Sequence, residues 1–251
     1  MSSTGKTELQ YTEFEMIKDF IDKQQAIYSC IDKIGHKVNP SVGCFHDGVA
    51  YPELYLGSGT RVMWVLKNSY DDSDADGNPV SDGMDIRDWF CDQSLETACH
   101  KQIFIKMALI TYCIQNNIPY SESLLNDKVL IMQSLKNIAL VDLSKLPGGT
   151  SISDKDLKKE FSYFKTVFEN QIDLYNPNVI IFGNTLHICR DVFPGLNYKK
   201  PHAVYESNGN CLLRSFLDKS CKRLYLEAYH PSYPMSYEDY VGTIVNAILK
   251  A

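Results

Sequence analysis

Three residues that could take part in acid–base or hydrogen-bond chemistry stand at the ends of short apolar runs. They are Asn68, Asp142 and His230, and long stretches of chain separate them. An imidazole can donate a hydrogen bond or transfer a proton, and a carboxylate can accept a proton. An amide can orient a water molecule but is a poor proton acceptor. These side chains therefore supply a donor, an acceptor and a water-orienting group, provided that the fold brings them together.

The apolar runs themselves have the composition of strands that are buried on both faces. They cover residues 61–66, 137–143, 178–183 and 224–229. Helical periodicity between them predicts βαβ units, and so a mostly parallel sheet with helices on both faces. Ligands bind beyond the carboxyl ends of such strands, so polar residues after all four runs predict a site at one sheet edge. The alternative is that strand ends are polar because they reach solvent.

This pattern of elements predicts the α/β class, as a three-layer α/β/α fold with a short, mainly parallel central sheet. One domain is expected over residues 1–251, with residues 1–40 as an extra N-terminal helical segment. Residues 68–85 are dense in Asp, Asn, Ser and Gly and are expected to form a loop. Apolar periodicity predicts helices over 7–34, 95–118, 154–174, 185–192 and 237–250, the third of them capped by Ser153.

The composition excludes several classes of protein. At 44% hydrophobic and 22% charged residues the chain is not mainly disordered. No apolar run approaches the ~18 residues of a membrane span, and the N-terminus lacks the pattern of an export signal. Eight scattered cysteines without a C-x-x-C pair favour reduced thiols in the cytoplasm and give no signature of a zinc or iron–sulfur site.

Charge is distributed unevenly along the chain, whose net charge is −6. Residues 1–96 carry 17 acidic and 8 basic side chains, whereas residues 97–251 carry 14 and 17. A polyanionic partner is therefore expected to contact the second part of the chain.

Four segments between about residues 61 and 250 together resemble the uracil-DNA glycosylase superfamily. Leu66-Lys-Asn-Ser-Tyr70 lies where that family has its first motif, Gly-x-Asp/Asn-Pro-Tyr/Gly, and Asp142 lies where many members have an Asn that reads the base. Pro177-Asn-Val-Ile-Ile-Phe-Gly183 resembles the third strand, and His230-Pro-Ser-Tyr-Pro-Met-Ser236 resembles the second catalytic motif, His-Pro-Ser-Pro-Leu-Ser. Leu66 and Ser69 replace the glycine and proline of the first motif, so the chain is similar to a divergent member.

The resemblance implies hydrolysis of the N-glycosidic bond of an altered (deaminated) base in DNA, with the nucleotide extruded into a pocket. Asn68 would place the attacking water, with Asp71 or Asp72 as the alternative base. His230 would donate a hydrogen bond to the charge that develops on the departing base. The candidate stacking rings are Tyr70, Trp89 and Phe90, although the last two also suit a core.

Asp142 is the candidate base-reading residue. An Asn amide offers a donor and an acceptor to uracil, whereas an ionised Asp offers acceptors only and would repel the base oxygen O4. The substitution therefore predicts a base that presents an amino donor, or a protonated Asp142. The alternative is that Asp142 caps the following turn or pairs with Lys145.

The candidate phosphate-binding residues are Ser144, Lys145 and Ser232. The expected partner is DNA that contains a damaged or deaminated base, bound by a monomer without a membrane, cofactor or metal. Residues 72–77 match the opening of a calcium loop, but its twelfth position, Gly83, lacks the required Glu. A non-catalytic nucleic-acid or nucleotide-binding module on the same scaffold is the second hypothesis, because the first motif has lost its glycine and proline.

Overall fold

The computed structural model describes residues 3–68, 83–148, 151–207 and 210–251, with side chains from Glu13 onward. The helices are α1 (Ser3–Val38), α2 (Pro52–Leu56), α3 (Ile86–Phe90), α4 (Asp92–Ala98), α5 (Gln102–Asn116), α6 (Lys128–Gln133), α7 (Asp154–Tyr175) and α8 (Thr243–Leu249). The strands are β1 (Phe45–His46), β2 (Gly48–Val49), β3 (Val62–Leu66), β4 (Met84–Asp85), β5 (Ile138–Asp142), β6 (Val179–Gly183), β7 (Ala203–Ser207), β8 (Asn210–Asp218) and β9 (Arg223–Ala228).

Four parallel strands form the centre of the main sheet, in the order β5-β3-β6-β9. They coincide with the four apolar runs of the sequence, so those strand predictions are confirmed. β3, β5 and β6 are buried at every position, because helices cover both faces of the sheet. The carboxyl ends of all four strands meet at one edge.

The prediction of a short, mainly parallel sheet is wrong in its details. The described sheet has seven strands and is mixed, because β2 pairs antiparallel with β5 at one side. At the other side the β7–β8 hairpin adds two further antiparallel strands next to β9. Alternate residues of β7 are exposed, so this edge strand lacks the continuous apolar run by which the central strands were identified.

The two faces of the sheet carry separate cores. On one face, α5, α6 and α8 pack against apolar residues such as Trp64 and Leu140. On the opposite face, α7 packs against Met63, Val65 and Val141. Neighbouring residues of one strand thus point to opposite faces, as the pleat requires. α1 lies over α7, where Ile31 contacts a cluster that includes Phe164.

Helix 95–118 of the sequence-based prediction is two helices, because α4 and α5 are separated by a turn at residues 99–101. No glycine or proline marks this break, but it lets Leu95 and Ile105 enter the same core. Within the predicted helix 185–192 only a single 3₁₀ turn, Arg190–Val192, is regular. Here Asn184 adopts a left-handed conformation and the buried Thr185 hydroxyl donates to the Val65 carbonyl (2.8 Å), which ties the chain to β3.

The other helix predictions are confirmed within a few residues. α7 begins after Ser153, whose hydroxyl accepts a hydrogen bond from the Asp156 N–H (3.1 Å) and so caps the helix as expected. The closing helix begins as a π-helical turn, Glu238–Gly242, and continues as α8. Among the described helices, none has the length and apolar content needed to cross a membrane.

Candidate active site

A cleft of about 840 Å³ opens at the carboxyl ends of the parallel strands. Asn68 follows β3, Asp142 ends β5, Asn184 follows β6 and His230 follows β9, and all four residues line this cleft. In the sheet, β5 is the neighbour of β3 on one side and β6 is its neighbour on the other side. The connections from β3 to β5 and from β5 to β6 therefore run in opposite directions across the sheet. Such a reversal of strand order separates the connecting loops and leaves a crevice in which ligands bind.

His230 is half-buried and its ring orientation is defined by its neighbour Ser232. The His230 Nδ1 atom lies 3.2 Å from the Ser232 backbone N–H and 2.7 Å from the Ser232 hydroxyl. A backbone N–H can only donate, so Nδ1 is an acceptor and the proton of the neutral ring is on Nε2. The geometry therefore assigns to His230 a neutral imidazole that can donate through Nε2.

Burial, and after it the positive charges of Lys67 and Lys106, together lower the pKa of His230 from 6.5 to about 4. The ring is consequently uncharged at neutral pH. Lys106 is a buried residue of α5, and its ammonium donates to the Tyr233 carbonyl (2.7 Å) and lies 4.8 Å from the centre of the Tyr240 ring. It thereby fastens the loop that carries His230 to α5.

Asp142 lies at the last position of β5 and is only 3% exposed. Leu140 is two residues earlier and also lines the cleft, whereas Val141 packs on the α7 face. The alternation of a strand therefore directs the Asp142 side chain to the cleft face of the sheet. Among the described residues that line the cleft, Asp142 is the only carboxylate.

The sequence of the chain matches no protein-family model and no curated protein.

Two of the three predicted phosphate-binding residues are not available to a ligand. Lys145 is completely buried and its three ammonium protons already have acceptors: Asp47 (2.6 Å), the Asp142 carbonyl (2.6 Å) and Gln171 (3.0 Å). Ser144 is also fully buried, and its hydroxyl accepts from the Leu146 N–H (3.2 Å) within a tight turn. Those two assignments are wrong, because residues 144–145 are part of the fold's interior.

Lys145 does not form the suggested alternative pair with the Asp142 carboxylate either. Its bond to residue 142 goes to the backbone carbonyl, and its ion pair is with Asp47. Asp47 was not singled out in the sequence, and only its burial and its long-range contacts identify it.

The predicted stacking ring Phe90 is buried at 0% exposure in the core, so it cannot face a base. Its neighbour Trp89 is half-buried instead and lines the cleft, where the Phe104 ring meets it edge-on at 6.3 Å between ring centres. Tyr70 and Asp71, and the possible calcium loop at 72–77, lie outside the described residues. In the described part of the chain, no cluster of three or more His, Cys, Asp or Glu side chains is arranged to hold a metal ion.

The remaining predicted residues, Asn68 and Ser232, both line the cleft, although the hydroxyl and the backbone N–H of Ser232 both bond to His230 Nδ1. Gly148 lies against the Asn68 amide so closely that an added Cβ there would fall 2.1 Å from Nδ2. A turn of the chain thus limits the directions that the Asn68 side chain can take.

Two lysines at the cleft had no assigned role in the sequence-based prediction. Lys67 and Lys101 line the cleft and bring positive charge. Lys67 pairs with Asp154 at 3.5 Å, and Asp154 also contacts the His187 ring at 2.8 Å. The hydrogen bond from His187, followed by the charges of His187 and Lys67, lowers the pKa of the Asp154 carboxyl. Lys67 was identifiable in principle, because it directly follows β3 at the predicted edge.

Proposed function

We propose that this chain is a glycosylase-like hydrolase that removes an altered base from DNA. The observation that carries the proposal is that Asn68, Asp142 and His230, from three distant parts of the sequence, line one cleft. A cleft of about 840 Å³ is within the size range of small-molecule sites and can hold a flipped-out nucleotide.

In the proposed reaction, water adds to the anomeric carbon of the sugar while the bond from that carbon to the base nitrogen breaks. The base leaves with the electron pair of that bond and takes up the proton that the water loses, so that the products are the free base and a sugar hydroxyl. Positive charge on the sugar and negative charge on the base develop in the transition state, so the site must place donors near the base and a water near the sugar.

His230 is suited to the first task. It is neutral at pH 7 and donates from Nε2, because Ser232 occupies Nδ1. A donor that is already oriented toward the developing charge lowers the barrier without having to reorganise. Trp89 supplies an aromatic face for stacking, which contributes on the order of 1–3 kcal/mol per base.

Asn68 is suited to holding the attacking water, and Asp142 to reading the base. In this nearly closed environment an ionised Asp142 accepts from a base that presents N–H donors, whereas a protonated Asp142 donates to a base carbonyl. The positive charge of Lys101 at the cleft is available to the phosphates that flank the extruded nucleotide, whereas that of Lys67 is shared with Asp154 at 3.5 Å.

The test is an excision screen with oligonucleotides that each contain one altered base, such as uracil, hypoxanthine or xanthine. We expect release of free base from at least one substrate, and a loss of about 100-fold or more in rate for His230→Ala, as for removal of one preorganised donor. His202→Ala is the matched control, because His202 is an exposed histidine outside the cleft. Equal rates for the two histidine variants would refute the assigned role of His230.

The second candidate is a module that binds nucleotides without cleaving them. It is favoured by the single carboxylate among the described cleft residues and by the neutral Asn68 amide, which is a poor proton acceptor. Binding of altered-base oligonucleotides that depends on Asp142, with no free base released from any of them, would establish this second function.

A further inference from the structure

A group of buried polar side chains lies behind the end of β5, on the side away from the cleft. It consists of Asp47, between β1 and β2, Lys145, in the turn after β5, and Gln171 of α7. Asp47 is 4% exposed, and Lys145 and Gln171 are 0% exposed. Burying two charges and an amide is costly unless each is fully hydrogen-bonded, so their arrangement requires an explanation.

These three side chains bond to one another. Lys145 pairs with Asp47 Oδ2 at 2.6 Å and donates to Gln171 Oε1 at 3.0 Å. Gln171 Nε2 in turn donates to Asp47 Oδ1 at 2.7 Å. Both carboxylate oxygens and two of the three ammonium protons are therefore used within the group.

The same group binds both polar atoms of the Asp142 backbone. Asp47 Oδ2 accepts a hydrogen bond from the Asp142 N–H at 2.6 Å, and Lys145 donates to the Asp142 carbonyl at 2.6 Å. The ion pair is thus hydrogen-bonded to the N–H and to the carbonyl of residue 142. This residue is the last one of β5, where regular sheet pairing stops.

Neither Lys145 nor Gln171 lines the cleft, and Asp47 does not line it either. Asp47 and Asp142 share the lining of a small neighbouring cavity, and the hydrogen bonds from Asp47 and Lys145 toward the cleft go to the main chain of residue 142. We infer that Asp47 and Lys145 are positioning residues that hold the Asp142 carboxylate in the orientation that selects the base. This inference rests on the proposed function, in which Asp142 reads the base.

A buried ion pair adds little to stability by itself, because apolar replacements of similar volume are often equally stable. A fully satisfied pair nevertheless imposes one geometry on the groups that it bonds. A side chain that reads a base must be held to within a fraction of an ångström, which loop contacts alone rarely achieve.

The experiment compares two kinds of variant. The double variant Asp47→Leu/Lys145→Met removes both bonds to the backbone of residue 142 without leaving an unpaired buried charge. Gln171→Met removes the supporting amide but leaves both of those bonds in place, so it is the matched control. The probes are fluorescein-labelled oligonucleotides with one uracil, hypoxanthine or xanthine, on 2′-fluorinated sugars that resist cleavage, together with their unaltered parents.

The quantity measured is the selectivity, the Kd for the parent divided by the Kd for the best altered base. We expect the double variant to lose about tenfold or more in selectivity and to resemble Asp142→Ala, whereas Gln171→Met retains it. Adding Asp142→Ala to the double variant should then change selectivity little further, because the carboxylate is already misplaced. A purely structural role would lower the melting temperature of both variants and leave selectivity unchanged, which would overturn the inference.

The failure of this inference differs from the failure of the proposed function. Unchanged selectivity in Asp142→Ala itself would contradict the proposed base-reading role. Lost selectivity in Asp142→Ala with full selectivity in the double variant would contradict only the positioning role. If the double variant does not fold, Asp47→Asn serves instead, because it keeps the volume and one acceptor oxygen. Full selectivity in Asp47→Asn would overturn the inference, and a partial loss of selectivity would support it.

Discussion

The neutral His230 ring makes a specific prediction about the dependence of stability on pH. Its pKa is about 4 in the folded chain, against 6.5 for an unperturbed histidine. Between these two values the unfolded chain binds the proton and the folded chain does not, so stability falls as the pH is lowered from 6.5 toward 4. Above pH 6.5 both states are neutral and the ring makes no difference to the pH dependence.

The magnitude follows from the two pKa values. At about pH 5 the difference in proton binding makes the free energy of unfolding about 2 kcal/mol lower than at pH 7, and the full effect is about 3 kcal/mol below pH 4. His230→Gln removes this titration and keeps a polar side chain of similar reach. We therefore expect wild type to lose about 2 kcal/mol more than His230→Gln when the pH changes from 7 to 5.

Urea unfolding at the two pH values measures this difference, and NMR measures the ring directly. In wild type the His230 ring signals should titrate near pH 4, and the nitrogen shifts should show the proton on Nε2 at neutral pH. Lys106→Met should move the titration toward 6.5, because it removes one of the two nearby positive charges. A ring that titrates near 6.5 in wild type, or carries its proton on Nδ1, would refute the reasoning.

Three further predictions concern positions that shape the site. Gly183→Ala should lower the free energy of unfolding, measured by urea titration, by about 1–3 kcal/mol. The reason is that the new Cβ would lie 2.7 Å from a Leu66 methyl and 3.2 Å from Pro231. An unchanged free energy of unfolding would show that β6 can shift to make room. Gly48→Ala should lower the free energy of unfolding more, since Gly48 has a φ of 137° and an added Cβ would clash with the Tyr175 hydroxyl. A melting temperature equal to that of wild type would contradict this. Ser153→Ala should cost about 1 kcal/mol by removing the cap of α7, and Ser153→Asp should restore it in the same measurement.

The central strands were predictable because of a simple physical property. A strand that is buried on both faces must be apolar at nearly every position, and that property is visible in five or six consecutive residues. α7 was predictable for a related reason, since its amphipathic period and its Ser153 cap are both local. The β7–β8 hairpin was not predicted, because a half-exposed edge strand alternates polar and apolar residues less distinctly.

Short local signals also failed where long-range packing decided the outcome. The sequence around residues 99–101 continues a helical pattern, yet the chain turns there so that α4 and α5 can share one core. The prediction of Phe90 as a stacking ring had the same weakness, because the sequence cannot tell which of two adjacent aromatic residues faces a cleft. Only the orientation of α3 makes Phe90 a core residue and leaves Trp89 at the cleft.

The sequence by itself determined the class of the fold and the sheet edge at which Asn68, Asp142 and His230 would meet, because parallel strands necessarily present their carboxyl ends together. Tertiary structure alone decided what surrounds those residues. The charge of His230 depends on burial beside Lys67 and Lys106, and the backbone of Asp142 is held by Asp47, which is 95 residues away along the chain. Burial and hydrogen bonds between such distant residues arise only when the whole chain is folded, so no local pattern of amino acids encodes them.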